Sequence, residues 1–432
     1  MIETLKNAWR IPELRKKLLF VVFALVIFRF GYAIYVPYVD TESLAEIFQQ
    51  YSNTLLGYFN TLSGGGFSQA SIFALSVYPY INSSIIMQLL QVAIPALERM
   101  VKDGGEEGRK KLASITRYVT IALSLLMGWT YYIMLRSSGV LLRTDAWSAI
   151  VIIMTFTAGS AFIMWLGEQI NSKGVGNGIS IILFAGIVAR LPVTFGTVWQ
   201  YMQLGMESAS TAGQYLVLAP LFVVLFLVVI WVIVFMNEAE RRIPVQYAKK
   251  VVGRKMYGGQ STFLPVKVAM SGVMPVIFAS AILSIPQFIQ FFWNPSEGFG
   301  RALLDAFSSS GWLYVVLYFF LILMFAYFYM SIQYNPLEMA NNLRQNNGTI
   351  PGIRPGKPTA DFIAKILSKV TLIGALFLAF VALVPIIYTN VTGMYGLSMG
   401  GTSIIIIVGV ALETVKQLES QMMLRHYKGF LD

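Results

Sequence analysis

Ten long apolar runs constrain this chain more than any other feature of its sequence. Each is close to the roughly 20 residues that a helix needs to cross the hydrocarbon core of a bilayer. The runs cover 18–37, 72–94, 116–136, 147–166, 179–197, 215–236, 268–290, 312–332, 370–388 and 397–416. Only 12% of the 432 residues are charged, against about 25% in a soluble domain. The sequence therefore predicts an all-α integral membrane protein with ten transmembrane helices.

The lysines and arginines orient these predicted helices. With the N-terminus inside, the inside segments are 1–17, 95–115, 167–178, 237–267, 333–369 and 417–432. They carry 25 lysines and arginines, whereas the outside segments carry only Arg143 and Arg301. Cytoplasmic loops of membrane proteins are enriched in these two residue types. The charges therefore predict that both termini lie in the cytoplasm.

Ten spans divide into two sets of five. Because five is odd, the second set enters the membrane from the opposite side, which is the arrangement of an inverted repeat. The predicted organisation is an N-terminal half at 1–197, the start of the C-terminal half at 198–237, a cytoplasmic basic loop at 238–267, spans 7 and 8 at 268–332, a second basic loop at 333–369, spans 9 and 10 at 370–416, and a cytoplasmic tail at 417–432.

The second span of each half carries a polar stripe. The side chains are Ser84, Gln88 and Gln91 in the first half and Ser280, Ser284 and Gln287 in the second. Both sets follow i, i+4, i+7 spacing, so each lies along one face of its helix. Such stripes serve either ordinary interhelical hydrogen bonding or a water-lined seam that opens, and the spacing is compatible with both.

The outside segment 38–71 ends in three consecutive glycines, Gly64 to Gly66, directly before a span. Each glycine costs a helix about 1 kcal/mol relative to alanine. The glycines favour either a mobile element that folds back toward the membrane or a plain flexible loop.

Catalytic and metal-binding patterns are absent from the sequence. The run 352–357 has three residues between its glycines where a phosphate loop needs four, and 174–178 places its third glycine one position too early for a dinucleotide fingerprint. The chain has no cysteine and one histidine, His426. We therefore expect no enzyme activity, no catalytic residue, no cofactor and no metal.

Arg29 is the one charge placed well inside a predicted span, and it either faces a water-filled outer vestibule or snorkels toward the surface. Ion-coupled transporters usually keep carboxylates or a broken-helix ion site at the midplane. The sequence shows neither, which argues against a secondary transporter for a small solute.

Two long inside loops concentrate positive charge. The basic residues are Arg241, Arg242, Lys249, Lys250, Arg254 and Lys255 in the first and Arg344, Arg354, Lys357 and Lys365 in the second. Such clusters suit docking of an acidic protein surface or RNA phosphate. The alternative is retention on the inside together with contact to anionic lipids.

Several motifs together resemble one family, and the resemblance covers the whole chain. They are Phe30-Gly31, the glycines before Phe67-Ser68, Tyr78-Pro79-Tyr80-Ile81, the run 84–90, Gly176-Asn177-Gly178-Ile179-Ser180, the run 240–248, the run 275–280 and the run 351–356. The chain is similar to the SecY family, the central subunit of the bacterial protein-conducting channel.

The resemblance implies two inverted five-helix halves around an hourglass pore, and it implies roles for particular residues. The constriction ring would be Ile81, Ile85, Leu183, Ile187, Ile277 and Ile406. The plug, at about 61–71, would include Gly64, Gly65, Gly66, Phe67 and Ser68. The two polar stripes would line the lateral gate. Motor or ribosome docking would use Arg241, Arg242, Lys249, Lys250, Arg354 and Lys357.

The resemblance also implies a function. Unfolded preproteins would cross the bacterial plasma membrane and membrane segments would leave laterally into lipid, driven by the SecA motor ATPase or by the ribosome. The implied partners are the SecE and SecG membrane subunits, SecA, the ribosome, preproteins with their signal peptides, and anionic lipids. A transporter and a membrane-enzyme scaffold are the competing hypotheses, and a scaffold predicts no gated opening.

Overall fold

A computed structural model describes residues 2–50, 60, 63–207, 213–247, 250–252, 255–257, 261–269, 272–292, 311–394 and 401–428. The helices are α1 Ile2–Arg10, α2 Pro12–Tyr32, α3 Thr41–Gln50, α4 Tyr78–Ala93, α5 Pro95–Asp103, α6 Gly105–Ser137, α7 Ala146–Lys173, α8 Gly178–Val188, α9 Leu191–Glu207, α10 Tyr215–Glu238, α11 Met274–Phe292, α12 Trp312–Gln333, α13 Pro336–Gln345, α14 Lys357–Thr392 and α15 Gly401–Lys428. The strands are β1 Glu240–Tyr247, β2 Lys250–Val252, β3 Lys255–Tyr257, β4 Ser261–Lys267 and β5 Gly348–Thr349.

The chain is a multi-pass membrane protein with several apolar helices. Within the described residues, seven helices are long and apolar enough to span a membrane, with α8 and α9 counted as one and α12 and α13 counted as one, and the bent pair α4–α5 is an eighth. The predicted spans 18–37 and 268–290 coincide with α2 and α11, which fall outside that set. Helix α2 contains Arg15, Lys16, Lys17 and Arg29, and the apolar segment Met274–Leu283 of α11 is too short to count as a span. Ten spans therefore remain a prediction.

One predicted span bends where it was expected to end. Helices α4 and α5 meet at 103°, because Ile94 is extended and Pro95 opens the next helix. The residue before a proline avoids the helical region. Helix α5 then packs against α6.

The basic loops contain strands, which the all-α prediction did not anticipate. Strand β1 pairs antiparallel with β4, from Glu240 opposite Lys267 to Gln246 opposite Ser261. Its far end pairs with β5, where Gln246 faces Thr349 and Tyr247 faces Gly348. The two loops thus share one three-stranded sheet in the order β4-β1-β5. Side chains alternate between the two sides of a strand, so Ile243 and Val245 are buried while their neighbours are exposed.

Two apolar clusters organise the interior. The larger joins the membrane helices and contains residues of α2, α4, α6, α7, α8, α11, α14 and α15. The smaller lies beneath the sheet and contains Ile243, Val245, Val266, Leu343, Ile350, Ile363, Leu367 and Val370. Its last members belong to α14, which therefore anchors the basic sheet to a membrane helix.

The two ends of the described chain lie together. Thr4 Oγ1 donates a hydrogen bond to Glu419 Oε1 at 3.0 Å, and Lys17 Nζ donates to Gln421 Oε1 at 3.2 Å. Ala8, Leu14 and Leu418 form a shared apolar cluster beside them. An even number of spans requires both ends on one side of the membrane, and this contact agrees with that requirement.

Candidate functional site

A cavity of about 830 Å³ opens between the two predicted halves. We call it the vestibule. Helices α4, α7 and α8 line it from the first half, and α10, α11, α12 and α15 line it from the second. Its polar lining includes Ser84, Gln88, Asn171, Asn177, Ser180, Asn237, Lys267, Gln333, Glu413, Lys416, Gln417 and Ser420. Lys267 ends β4 of the basic sheet, so the vestibule opens on the same side as the basic loops.

Four of the six residues predicted for the constriction ring line this vestibule. They are Ile81, Leu183, Ile277 and Ile406, which come from α4, α8, α11 and α15. The other two, Ile85 and Ile187, belong to the large apolar cluster and are buried. Branched aliphatic side chains from four helices therefore line one cavity, and we call the predicted ring of these residues the neck. A narrow apolar constriction resists wetting and ion flow.

The predicted plug folds back into the protein instead of forming an open loop. Residues 63–70 form consecutive turns. Gly64 and Gly65 adopt φ values of 68° and 94°, which residues other than glycine rarely adopt. Asn60 holds the segment, since its backbone oxygen accepts from Gly65 N at 2.7 Å and its Oδ1 accepts from Ser68 N at 2.9 Å.

Aromatic residues hold the plug in place. Phe67 stacks on Tyr131 of α6, with ring centroids 4.1 Å apart, and its edge meets Phe48 of α3 at 5.6 Å. The Tyr131 hydroxyl also donates a hydrogen bond to the backbone oxygen of Phe67. A Cβ on Gly66 would lie 2.2 Å from the ring of Tyr32. Tyr131 and Phe48 were not predicted as site residues, because a buried aromatic carries no sequence mark of what it contacts.

The plug touches α8 just past the neck. A Cβ on Gly64 would lie 3.0 Å from the backbone oxygen of Gly186. Gly186 is three residues beyond Leu183, which corresponds to about 4.5 Å along a helix. Ser180 and Leu183 in the vestibule lining and Gly186 beside Gly64 therefore follow one another along α8.

The two polar stripes differ in what the structure describes of them. Ser84 and Gln88 line the vestibule, where Gln88 Nε2 donates to Ser84 Oγ at 3.3 Å. Gln91 is half-buried outside the vestibule lining. Ser280 Oγ donates to the backbone oxygen of Ile277 at 2.8 Å. The side chains of Ser284 and Gln287 lie outside the described residues.

The predicted docking residues are exposed where they are described. Arg241 and Arg242 lie on β1, and Arg242 Nε donates to Glu240 Oε1 at 2.7 Å. Arg354 and Lys357 lie in the turn between β5 and the start of α14, and both are exposed. Lys249 and the side chain of Lys250 lie outside the described residues. Both loops present arginines from one connected sheet.

Asn177 has a structural role that the sequence analysis missed. Its Oδ1 accepts from Ile179 N and Ser180 N at 3.1 and 3.3 Å, which caps α8. Gly176 before it has a φ of 86°. The glycine-rich run that failed as a dinucleotide fingerprint therefore begins the helix that carries the neck. The Asn177-Gly178-Ile179 pattern is itself a helix-start signal.

The family model for SecY matches residues 71–415. The chain belongs to the SecY family. It is 43% identical to the protein translocase subunit SecY of Bacillus subtilis and 41% identical to that of Streptomyces coelicolor, and each match covers 100% of both chains. The resemblance inferred from the motifs is thus confirmed. SecY is a channel subunit of the protein translocase and not an enzyme, so the expected channel function is confirmed as well.

Solved structures show the same fold. One is a SecY structure whose plug domain is described as stabilising the closed state of the translocation channel and maintaining a membrane seal. It matches with a TM-score of 0.66 and 18% identity over 97% of each chain. Another is Sec61 in the canine ribosome–channel complex from the endoplasmic reticulum, with a TM-score of 0.61 and 17% identity over 97% of each chain. The architecture is that of a SecY or Sec61 channel.

Proposed function

We propose that this protein forms the pore through which unfolded preproteins cross the bacterial plasma membrane, with both termini in the cytoplasm. The observation that carries the proposal is the order of contacts along α8. Ser180 and Leu183 of the predicted neck line the vestibule, and Gly186 meets Gly64 of the predicted plug. A wide polar entrance, an apolar neck and a removable plug in series suit a channel that admits a large chain and excludes ions at other times.

The proposed architecture is ten spans in two inverted halves around an hourglass pore. The helices that are long and apolar enough to span a membrane, together with α2 and α11, coincide with the ten apolar runs. The vestibule lies between helices from both halves. The contact of α1 with α15 supports an arrangement with both ends on one side, as ten spans would require.

The proposed lateral gate lies between α4 and α11. Both helices line the vestibule, α4 with Ile81, Ser84 and Gln88 and α11 with Met274 and Ile277. Polar side chains facing water hold two helices together less strongly than an apolar contact, because water competes for their hydrogen bonds. Signal peptides and membrane segments would leave through this seam into lipid.

The proposed driving partners dock on the basic sheet. Arg241 and Arg242 lie on β1, Arg354 and Lys357 follow β5 of the same sheet, and all four are exposed. Guanidinium groups recognise carboxylates and phosphates through paired hydrogen bonds, so this surface suits the SecA motor and the ribosome. SecE, SecG and anionic lipids complete the proposed assembly.

Crosslinking a stalled secretory chain tests the pore directly. A photoreactive residue at position 277 or 85 is expected to crosslink to the stalled chain, because Ile277 lines the vestibule and Ile85 lies one turn beyond Ile81. Position 320 is the matched control, since Phe320 is exposed on α12 and is not part of the vestibule lining. Equal crosslinking from positions 277 and 320 would refute the pore assignment.

Reversing the charge at Arg354 tests docking. The Arg354→Glu variant is expected to lower motor-driven export by roughly tenfold, which corresponds to the loss of one charged hydrogen-bonded contact. Export of a preprotein into membrane vesicles measures this, and the amount of inserted protein should not change. The control Arg143→Glu alters an exposed arginine in a predicted outside loop. Equal losses in both variants would exclude a docking role for Arg354.

A further inference from the structure

Two arginines converge on the tip of the plug. Arg29 of α2 directs its Nη1 toward the backbone oxygen of Gly64 at 3.5 Å. Arg190, between α8 and α9, lies beside the next residue, where a Cβ on Gly65 would be 3.2 Å from its Nη1. The interaction between Arg29 and Arg190 is repulsive. Of the two sequence alternatives for Arg29, this contact with the predicted plug favours a place in the outer vestibule, on the far side of the neck from the cavity described above, over snorkelling.

The arginines lack a partner that matches their charge. Among the described residues, the salt bridges involve other side chains, and none joins Arg29 or Arg190 to a carboxylate. Arg190 Nε is buried with no hydrogen-bond partner in that same set. A guanidinium carries five N–H donors, and leaving the buried Arg190 Nε without an acceptor is costly. Arg29 is exposed, and besides the Gly64 oxygen it has the ring of Tyr32, whose centroid lies 5.9 Å from its guanidinium carbon. Neither contact neutralises a positive charge.

Arg29 and Arg190 lie beyond the neck, on the side of the plug. Arg190 follows Leu183 by seven residues, about 10 Å along the helix axis, on the plug side and away from the vestibule. A charged residue inside a membrane span is rare and usually functional. A polypeptide that displaces the plug must pass these two side chains after it leaves the constriction.

We propose that Arg29 and Arg190 form an anion site at the outer end of the neck, which the Gly64 carbonyl covers in the closed channel and a carboxylate of the passing polypeptide occupies once the plug leaves. This rests on the proposed pore and plug. Guanidinium and carboxylate form paired charged hydrogen bonds, which the Gly64 carbonyl cannot replace. Chloride shares the anionic charge and competes for the same site.

The test uses the complete translocase in membrane vesicles with stalled secretory chains. One stalled secretory chain carries four aspartates at the position just beyond the neck. A matched chain carries four glutamines at the same position. In the unaltered protein, the acidic chain is expected to slip back roughly tenfold more slowly, as for a charged hydrogen bond. Replacing gluconate with chloride in the buffer should shorten that retention and leave the glutamine chain unaffected.

Variants assign the effect to the two arginines. Arg29→Gln with Arg190→Gln should abolish the difference between the acidic and neutral chains. Arg190→Lys keeps the positive charge and should preserve part of the difference in retention. This variant separates loss of the anion site from a folding defect in the double variant. Arg143→Gln is the control and should keep the full difference. Retention that responds to aspartate but not to chloride would overturn the proposed competition by chloride and leave only the carboxylate site standing.

Equal retention of both chains in the unaltered protein would overturn the anion site. So would an aspartate effect that survives in the double variant. Crosslinking from position 277 separates this failure from failure of the pore itself. If the stalled chains crosslink there and show no charge discrimination, only the anion site is wrong. If they do not crosslink there, the pore assignment and the anion site are both wrong.

Discussion

The Phe67→Ala variant is expected to raise the ion conductance of the resting channel by about a hundredfold. Truncating a buried phenylalanine to alanine costs about 3–5 kcal/mol, and Phe67 is only 8% exposed. The variant loses the stacking on Tyr131 and the edge contact with Phe48. These contacts exist only while the plug is in place, so the lost energy shifts the equilibrium toward the displaced plug.

Conductance of planar bilayers containing the reconstituted translocase measures this effect. The control Gln69→Ala alters an exposed neighbour in the same segment and should leave the conductance unchanged. Deleting residues 63–70 gives the upper limit, because it removes the described plug altogether. If neither Phe67→Ala nor the deletion conducts more than the unaltered channel, residues 63–70 do not seal the pore.

The Gly178→Ala variant is expected to lower the thermal midpoint of the protein by about 3 °C. A Cβ at Gly178 would lie 2.0 Å from the backbone oxygen of Gly167, so helices α7 and α8 must separate. Overpacking of this kind costs about 1–3 kcal/mol, and here the obstacle is backbone, which has no rotamer to change. The same strain moves α8, which carries Leu183 and Arg190.

The matched control for this strain is Gly196→Ala. Gly196 lies within α9, and a Cβ there would meet nothing within 4 Å. Because alanine is a better helix former than glycine by about 1 kcal/mol, this variant should be as stable as the original or more so. Thermal unfolding in detergent, followed by the recovery of monodisperse protein, compares the two. Equal midpoints for both variants would show that the α7–α8 contact tolerates a methyl group.

The membrane class and the family could be predicted from the sequence because both depend on signals that are local. Hydropathy accumulates along a run of about 20 residues, and each motif lies in one short segment. The basic loops were also found from the sequence, but their shared sheet was not. Strand β1 meets β5 through Gln246 and Thr349, which lie about 100 residues apart, and β5 is only two residues long.

The residues of the neck show a different limit. Ile81, Leu183, Ile277 and Ile406 are typical apolar residues of membrane helices, and their pattern would equally suit contact with lipid. Their selection came from the resemblance to the family. In the structure all six residues belong to the large apolar cluster or pack against it, and four of them also line the vestibule. Residue type therefore does not distinguish the side chains that reach the vestibule from those that do not.

The sequence by itself determined that the solvent is lipid, that positive charge is concentrated in the predicted inside loops, and that the chain belongs to the SecY family. Hydropathy, charge and motifs are each read from residues close together in the chain, so they do not depend on which helices pack against each other. Only the tertiary structure decided which side chains line the vestibule, that Phe67 stacks on Tyr131, and that Arg29 and Arg190 share the tip of the plug. Each of these is a contact between segments far apart in the chain, and packing of the helices brings them together.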